Sequence, residues 1–497
     1  MSLTQIWAKK TVFVQALNRP HRPVGGRIGG VAERLWRFDM PKTVSGCIWG
    51  GFFLLFLLYF AGCSSDGESS QASSNWGAAE IIQTGTSEAM FPQVAVDENG
   101  GAVAVWHQDN GLGTNNIWAN HYNADTKKWG TAQIIQASED EALYPQVAVD
   151  PGGNAVAVWC QFYSPGIYNI WASRYDAGEG TWGTSQIIQT GTADAMYPQI
   201  AVDSSGNAIA VWYQDDGSVH YNTWANRYDA DTGTWGTSVL IEGKSEGAVG
   251  PRVAIDTDGN AVSVWCQLSS PTEYSIFANR YDSALGTWEG AEIIQAGTTD
   301  ALYPDVAIDT NGNAIAVWYQ DDGTGSYRIF ANRYDAATGM WENPMIIQVG
   351  SGDAAYPKVA VDTSGNAIAV WYQDDGTGSY RIWANRYDTA LGTWGTAGVI
   401  QSGSGDAESP RVAVDTNGNA VAVWYQDDGT VNYNIWANRF DAASGTWGTA
   451  VLIQKGTGDA AYPSVAVNPD GNGVAVWYQD DGAGTDNVWG AIWTLSP

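Results

Sequence analysis

From Trp76 onward the chain alternates short apolar runs with clusters of Gly, Asp, Asn, Ser and Thr. The stretch PKVAVDTSGNAIAVWYQDDG (357–376) is typical: two runs rich in Val, Ile and Ala, divided by DTSGN. Four runs of this kind follow one another here, KVAVD (358–362), NAIAVWYQ (366–373), YRIWANRYD (380–388) and AGVIQ (397–401). Each has the β-branched and aromatic content of a strand and is bounded by turn residues, and none carries a helical period. In DTSGN an Asp can bond its own turn and a Gly can take the positive φ that such a turn needs. The pattern therefore predicts a four-stranded antiparallel meander.

The same pattern returns with a fixed step. Its first proline stands at 92, 145, 198, 251, 304, 357, 410 and 463, every 53 residues, with no insertion or deletion. A repeat of about this length built from four strands is the sequence signature of a propeller blade. The copies begin out of phase, since the first element, WGAAEIIQ (76–83), is a fourth strand and the last, ending at Trp493, is a third. Each end supplies what the other lacks, and an open array would leave two bare edges. The expectation is an all-β, eight-bladed β-propeller over 76–497, four antiparallel strands per blade, closed by the N-terminal strand joining the last blade. Twenty-two of the 26 tryptophans fall on three repeat positions, a regularity expected of packing between units.

Residues 1–62 lie outside the repeat and read as a leader. IWGGFFLLFLLYFAG (48–62) is short for a bilayer span of about 20 residues and suits a signal-peptide core. The words FAGC and SSDGESSQASSN resemble the lipobox and tether of bacterial lipoproteins. That resemblance implies cleavage and acylation at Cys63, a Ser-rich tether over 63–75 and a lipid-anchored cell-envelope protein. Met40-Pro41-Lys42 suits a true translation start, and Ser64 resembles outer-membrane sorting. The full chain carries a net charge of −30; without residues 1–62 it keeps 15 basic and 51 acidic residues, net −36. Such a field repels phosphate backbones, so no nucleic acid is expected as a partner. Cys160 and Cys266, the two cysteines of the repeat region, occupy the same repeat position two repeats apart and read as unbridged, buried small hydrophobes.

The opening words of the repeat, P-x-V-A-V-D-x-x-G-N, are similar to NHL-type repeats, and ANRYDAATGMW (331–341) loosely resembles the tryptophan-docking motif of quinoprotein propellers. Both resemblances imply fold and say little about chemistry. With four histidines, no adjacent cysteine pair and arginines that are mostly copies, no catalytic residue is assigned. No cofactor is expected. Calcium enters only through Asp256 and Asp258 of DTDG, whose copies share one carboxylate that turn chemistry explains. The chain reads as a monomeric binding or scaffold module for a glycan, a cationic peptide or a protein partner. The alternatives are a scaffold of the outer-membrane assembly type and a sialidase-like or other propeller hydrolase.

Recognition needs asymmetry, and departures from the repeat mark where to look. The QDDG turn is replaced by QFYSPGIY (161–168) and QLSSPTEY (267–274), and the loop between them reads EGKSEGAVGPR (242–252). Phe162, Tyr163, Tyr168, Lys244, Arg252 and Tyr274 are therefore the candidate ligand-binding residues, expected together on one face. Ser409 and Arg411 repeat part of this change in the seventh unit.

Overall fold

The computed structural model describes residues 76–495 except 218–219, 244–246, 271–272, 430–431 and 457. The leader, Cys63, the tether and Lys244 lie outside the described residues. The described residues form eight antiparallel sheets in sequence order, the blades of a propeller. Blade six runs Ala354–Val361, Ala367–Asp374 and Tyr380–Asp388 from the axis outward. Its outer edge is divided between two-residue pairings at Thr393–Trp394 and Gly398–Val399, so the expected fourth strand is much shorter than its apolar run. Blade eight is closed by the N-terminus, where Glu80 pairs with Gly490, Ile81 with Trp489 and Trp76 with Trp493.

The repeated letters each have a structural task. The eight tryptophans ending the VAVW run are fully buried between blades. Trp371 Nε1 donates to Gln373 Oε1 (3.0 Å), and Gln373 Nε2 donates to the Val349 carbonyl of the entering loop (2.7 Å). Asn385 Nδ2 reaches the Ile347 carbonyl of the preceding blade (2.8 Å). The repeated arginine pairs locally, as Arg386 does with Asp388 (2.9 Å), and His121, which replaces it in blade one, stacks on Tyr175. Cys160 and Cys266 are buried and unbridged, and burial pushes both thiols up to about 12.

The innermost strands begin earlier than the sequence pattern suggests. KVAVD starts after Pro357, yet the strand starts at Ala354. A proline interrupts a paired strand only where its missing N–H is not needed, and the inner edge of a blade faces the axis. Each blade meets this proline with a β-bulge, placing two residues against one on the neighbouring strand, as between Ala355 and Lys358. The residue before the proline takes a positive φ, 50–55° in seven blades and 63° at Gly250 in blade four.

Candidate functional site

The bulge aims two side chains of every innermost strand around the axis, the residue before the proline and the residue after it. Before the proline stand aromatics that touch from blade to blade. Tyr462, Phe91, Tyr144 and Tyr197 form one arc with successive ring centroids 5.2, 6.0 and 4.5 Å apart. Tyr303 and Tyr356 form a second, 4.4 Å apart. Gly250 in blade four and Ser409 in blade seven break the ring into these arcs. Outward from it run tyrosine spokes such as Tyr356, Tyr372 and Tyr380, with centroids 5.5 and 5.1 Å apart.

After the proline the eight positions differ most. Blades eight, one, two and three place Ser464, Gln93, Gln146 and Gln199 there; blades four to seven place Arg252, Asp305, Lys358 and Arg411. These last lie on Ala248–Ile255, Ala301–Ile308, Ala354–Val361 and Ala407–Val414. Arg252 Nη1 donates to Gln199 Oε1 (2.6 Å) and its Nε stands 3.9 Å from Asp305. Lys358 Nζ donates to Asp305 Oδ1 (3.2 Å), while Asp305 Oδ2 accepts the Val359 N–H (3.1 Å). Arg411 forms no hydrogen bond or ion pair within the described residues. Each arginine comes two residues after one of the two breaks in the aromatic ring, Arg252 after Gly250 and Arg411 after Ser409.

Three basic side chains gather around Asp305 near the axis, a local concentration of positive charge in a protein whose net charge is −30. The protein wall hems in Lys358, whose side chain keeps 16% exposure. Burial, then the Arg252 and Arg411 charges, lower its ammonium to about 7 against the opposing pull of Asp305. Burial and Arg252 likewise bring Arg411 down to about 10. Along the axis Val, Ala and Ile of the innermost strands line an open cavity of about 420 Å³, with residues such as Val202, Ile255, Val361 and Val414. The arrangement can hold an anionic group, with aromatic faces and amides beside it.

Among the described residues, those singled out from the sequence fall in blades two and four. Phe162 and Tyr168 pack edge to face (5.9 Å) on a hairpin extended to Ser164, and Tyr163 beside them is 54% exposed. Tyr168 Oη donates to Glu141 (3.3 Å). Tyr274 opens the third strand of blade four, two blades away, with its N–H on Asp300 (2.8 Å). Arg252 belongs to the axial ring rather than to the entering loop. Asp305 and Lys358 were missed in the sequence, although the residue after each repeat proline gave a readable signal: Q, Q, Q, R, D, K, R, S.

The acidic loops are occupied by their own turns. Asp374 Oδ1 accepts from Gly376 and Gly378, Asp375 from Thr377 and Arg381. The Asp four residues before the proline, in the five blades that carry one, ties neighbouring blades, as Asp353 does by accepting the Tyr327 N–H (3.0 Å). Asp256 accepts three bonds from Asp258 and Asn260 within its own turn, and Asp258 contributes its backbone N–H there.

No family model matches the chain, and no curated protein matches it. Solved structures with a similar chain path include a PL25 ulvan lyase bound to -[GlcA(1-4)Rha3S]- (10% identity, 82% of this chain and 94% of that one, TM-score 0.48). Others are a fungal alcohol oxidase of the AA5 family in complex with copper (13%, 84% and 92%, 0.45) and a Hadza microbial sialidase (13%, 84% and 95%, 0.38). At this distance the similarity is confined to the fold, and the NHL-like and quinoprotein-like words gain no support from it.

Proposed function

We propose that this protein is a lipid-anchored binding module of the bacterial cell envelope, tethered through Cys63 to the outer membrane, which captures an anionic ligand at the mouth of its axial channel. One observation carries the reading: in a ring of eight near-identical units, the departures converge on the axis, where an aromatic is absent and a cation present in the same strand. Packing gives no reason for the gap at Gly250. A Cβ at Gly250 would meet nothing within 4 Å, and seven other blades hold a side chain at the same positive φ. The cationic mouth disfavours a cationic peptide and leaves glycan or protein ligands.

A sialidase-like hydrolase is the second reading, favoured by Tyr425 Oη donating to Glu408 Oε2 (3.1 Å) three residues before Arg411. Tyr425 is 6% exposed within its spoke, which suits packing better than attack on a substrate. The test is capture of envelope components by the full chain. Gly250→Tyr should abolish capture and Tyr163→Ala should leave it intact; the reverse pattern would return recognition to the variant loops. Fatty-acid labelling unchanged in Cys63→Ala would refute the anchor.

A further inference from the structure

The axial ring is divided by chemistry as well as by charge. Its neutral half offers Gln93 and Gln146 beside the arc of Phe91, Tyr144 and Tyr197, amides and ring faces without formal charge, while Gln199 is held by Arg252 and the Pro198 carbonyl. Its charged half offers the three cations, and the carboxylate among them is already engaged by Lys358 and the Val359 N–H. A ligand matching both halves is hydroxyl-rich on one side and acidic on the other. A protein of net charge −30 repels chains of high charge density, so the match is to isolated acidic groups on an otherwise neutral polymer or terminus.

Resting on the axial-mouth reading above, we infer that the ring binds an acidic saccharide: Arg411, with Lys358 and Arg252, receives a carboxylate or sulfate group while the glutamines and the tyrosine arc receive the sugar ring. Arg411 is the anchor, because its guanidinium has no partner within the described residues and presents paired donors to an oxyanion. Gly250 and Ser409, each two residues before one of the two arginines, keep the mouth open. Binding also draws on the protonation of Lys358, whose charged neighbours are Arg252, Asp305 and Arg411. An added anion favours its ammonium form, so binding takes up a proton near neutral pH.

Calorimetry on the full chain in detergent tests this with four probes: an oligogalacturonate, a sulfated galactan oligosaccharide, a neutral galactan oligosaccharide and trialanine. One or both acidic saccharides should bind at least about tenfold more tightly than the neutral one, and the two acidic arms separate carboxylate from sulfate. Arg411→Gln should weaken that binding about tenfold or more, Arg411→Lys should keep part of it, and affinity should fall above pH 7 in wild type but not in Lys358→Met. Equal binding of the neutral oligosaccharide, tighter binding of trialanine, or no binding by any acidic probe overturns the inference. If envelope capture remains sensitive to Gly250→Tyr in those cases, the axial-mouth reading survives; if not, both fall.

Discussion

The rim turns and the axial ring are built from the same repeat, yet they treat charge in opposite ways. At the rim, acids return blade after blade and each is satisfied where it stands: Asp375 by Thr377 and Arg381, Asp353 by a neighbouring N–H. At the axis, charge appears in four blades only and is left unbalanced, with Arg411 unpaired within the described residues. A buried charge without a partner is costly and persists where something other than stability maintains it. Repetition in this molecule therefore marks architecture, and departure from repetition at a position that faces the axis marks a site.

Breaking the architecture should have the largest effects. Removing residues 76–83 takes away the pairings of Glu80 and Ile81 and the bond from Val488 N–H to Gln83 Oε1 (2.6 Å). Blade eight then shows a bare edge, and the expected outcome is loss of monomer in size-exclusion chromatography. Trp371→Ala empties a fully buried site and should cost about 3–5 kcal/mol in denaturant unfolding. Asp353→Ala removes one tie between blades and should cost about 1–2 kcal/mol; Gly247 is the one blade that lacks this acid naturally.

A smaller effect sharpens the comparison from within the repeat. Glu242 stands where the other units carry Gln, and it accepts the Thr223 N–H (3.0 Å) as those glutamines accept theirs. Burial, with a contribution from Asp216, raises its carboxyl from 4.5 to about 8. Folding thus favours the protonated acid, and the stability tied to it is intact below about pH 4.5 and lost as pH rises to about 8. Glu242→Gln should leave the melting temperature unchanged at pH 4 and raise it increasingly between pH 5 and pH 8. A constant difference across that range would mean that the acid is not titrating in the fold.

Much of the fold was legible because the 53-residue step repeats without error. The third strand, Tyr380–Asp388, begins and ends where its apolar run does. The innermost strand was misplaced at its start because Pro357 reads as a boundary, whereas an edge facing the axis tolerates it. That misplacement had a consequence for the site. With the strand starting after the proline, Arg252 reads as a loop residue and is grouped with Phe162 and Tyr274. Only the bulge, which returns the chain to register beyond the proline, brings Arg252, Asp305, Lys358 and Arg411 to one level around the axis.

The most direct measurement restores the symmetry that the axial ring lacks. Gly250→Tyr, Arg252→Gln, Ser409→Tyr and Arg411→Gln, combined in one chain, give blades four and seven the residues that blades two and three carry at these positions. Thermal unfolding and envelope capture are then compared with wild type. If the ring is maintained for binding, the symmetrised protein melts higher, because the crowding of Arg411 against Arg252 and Lys358 is gone, and captures nothing. A lower melting temperature, or capture equal to wild type, would contradict it.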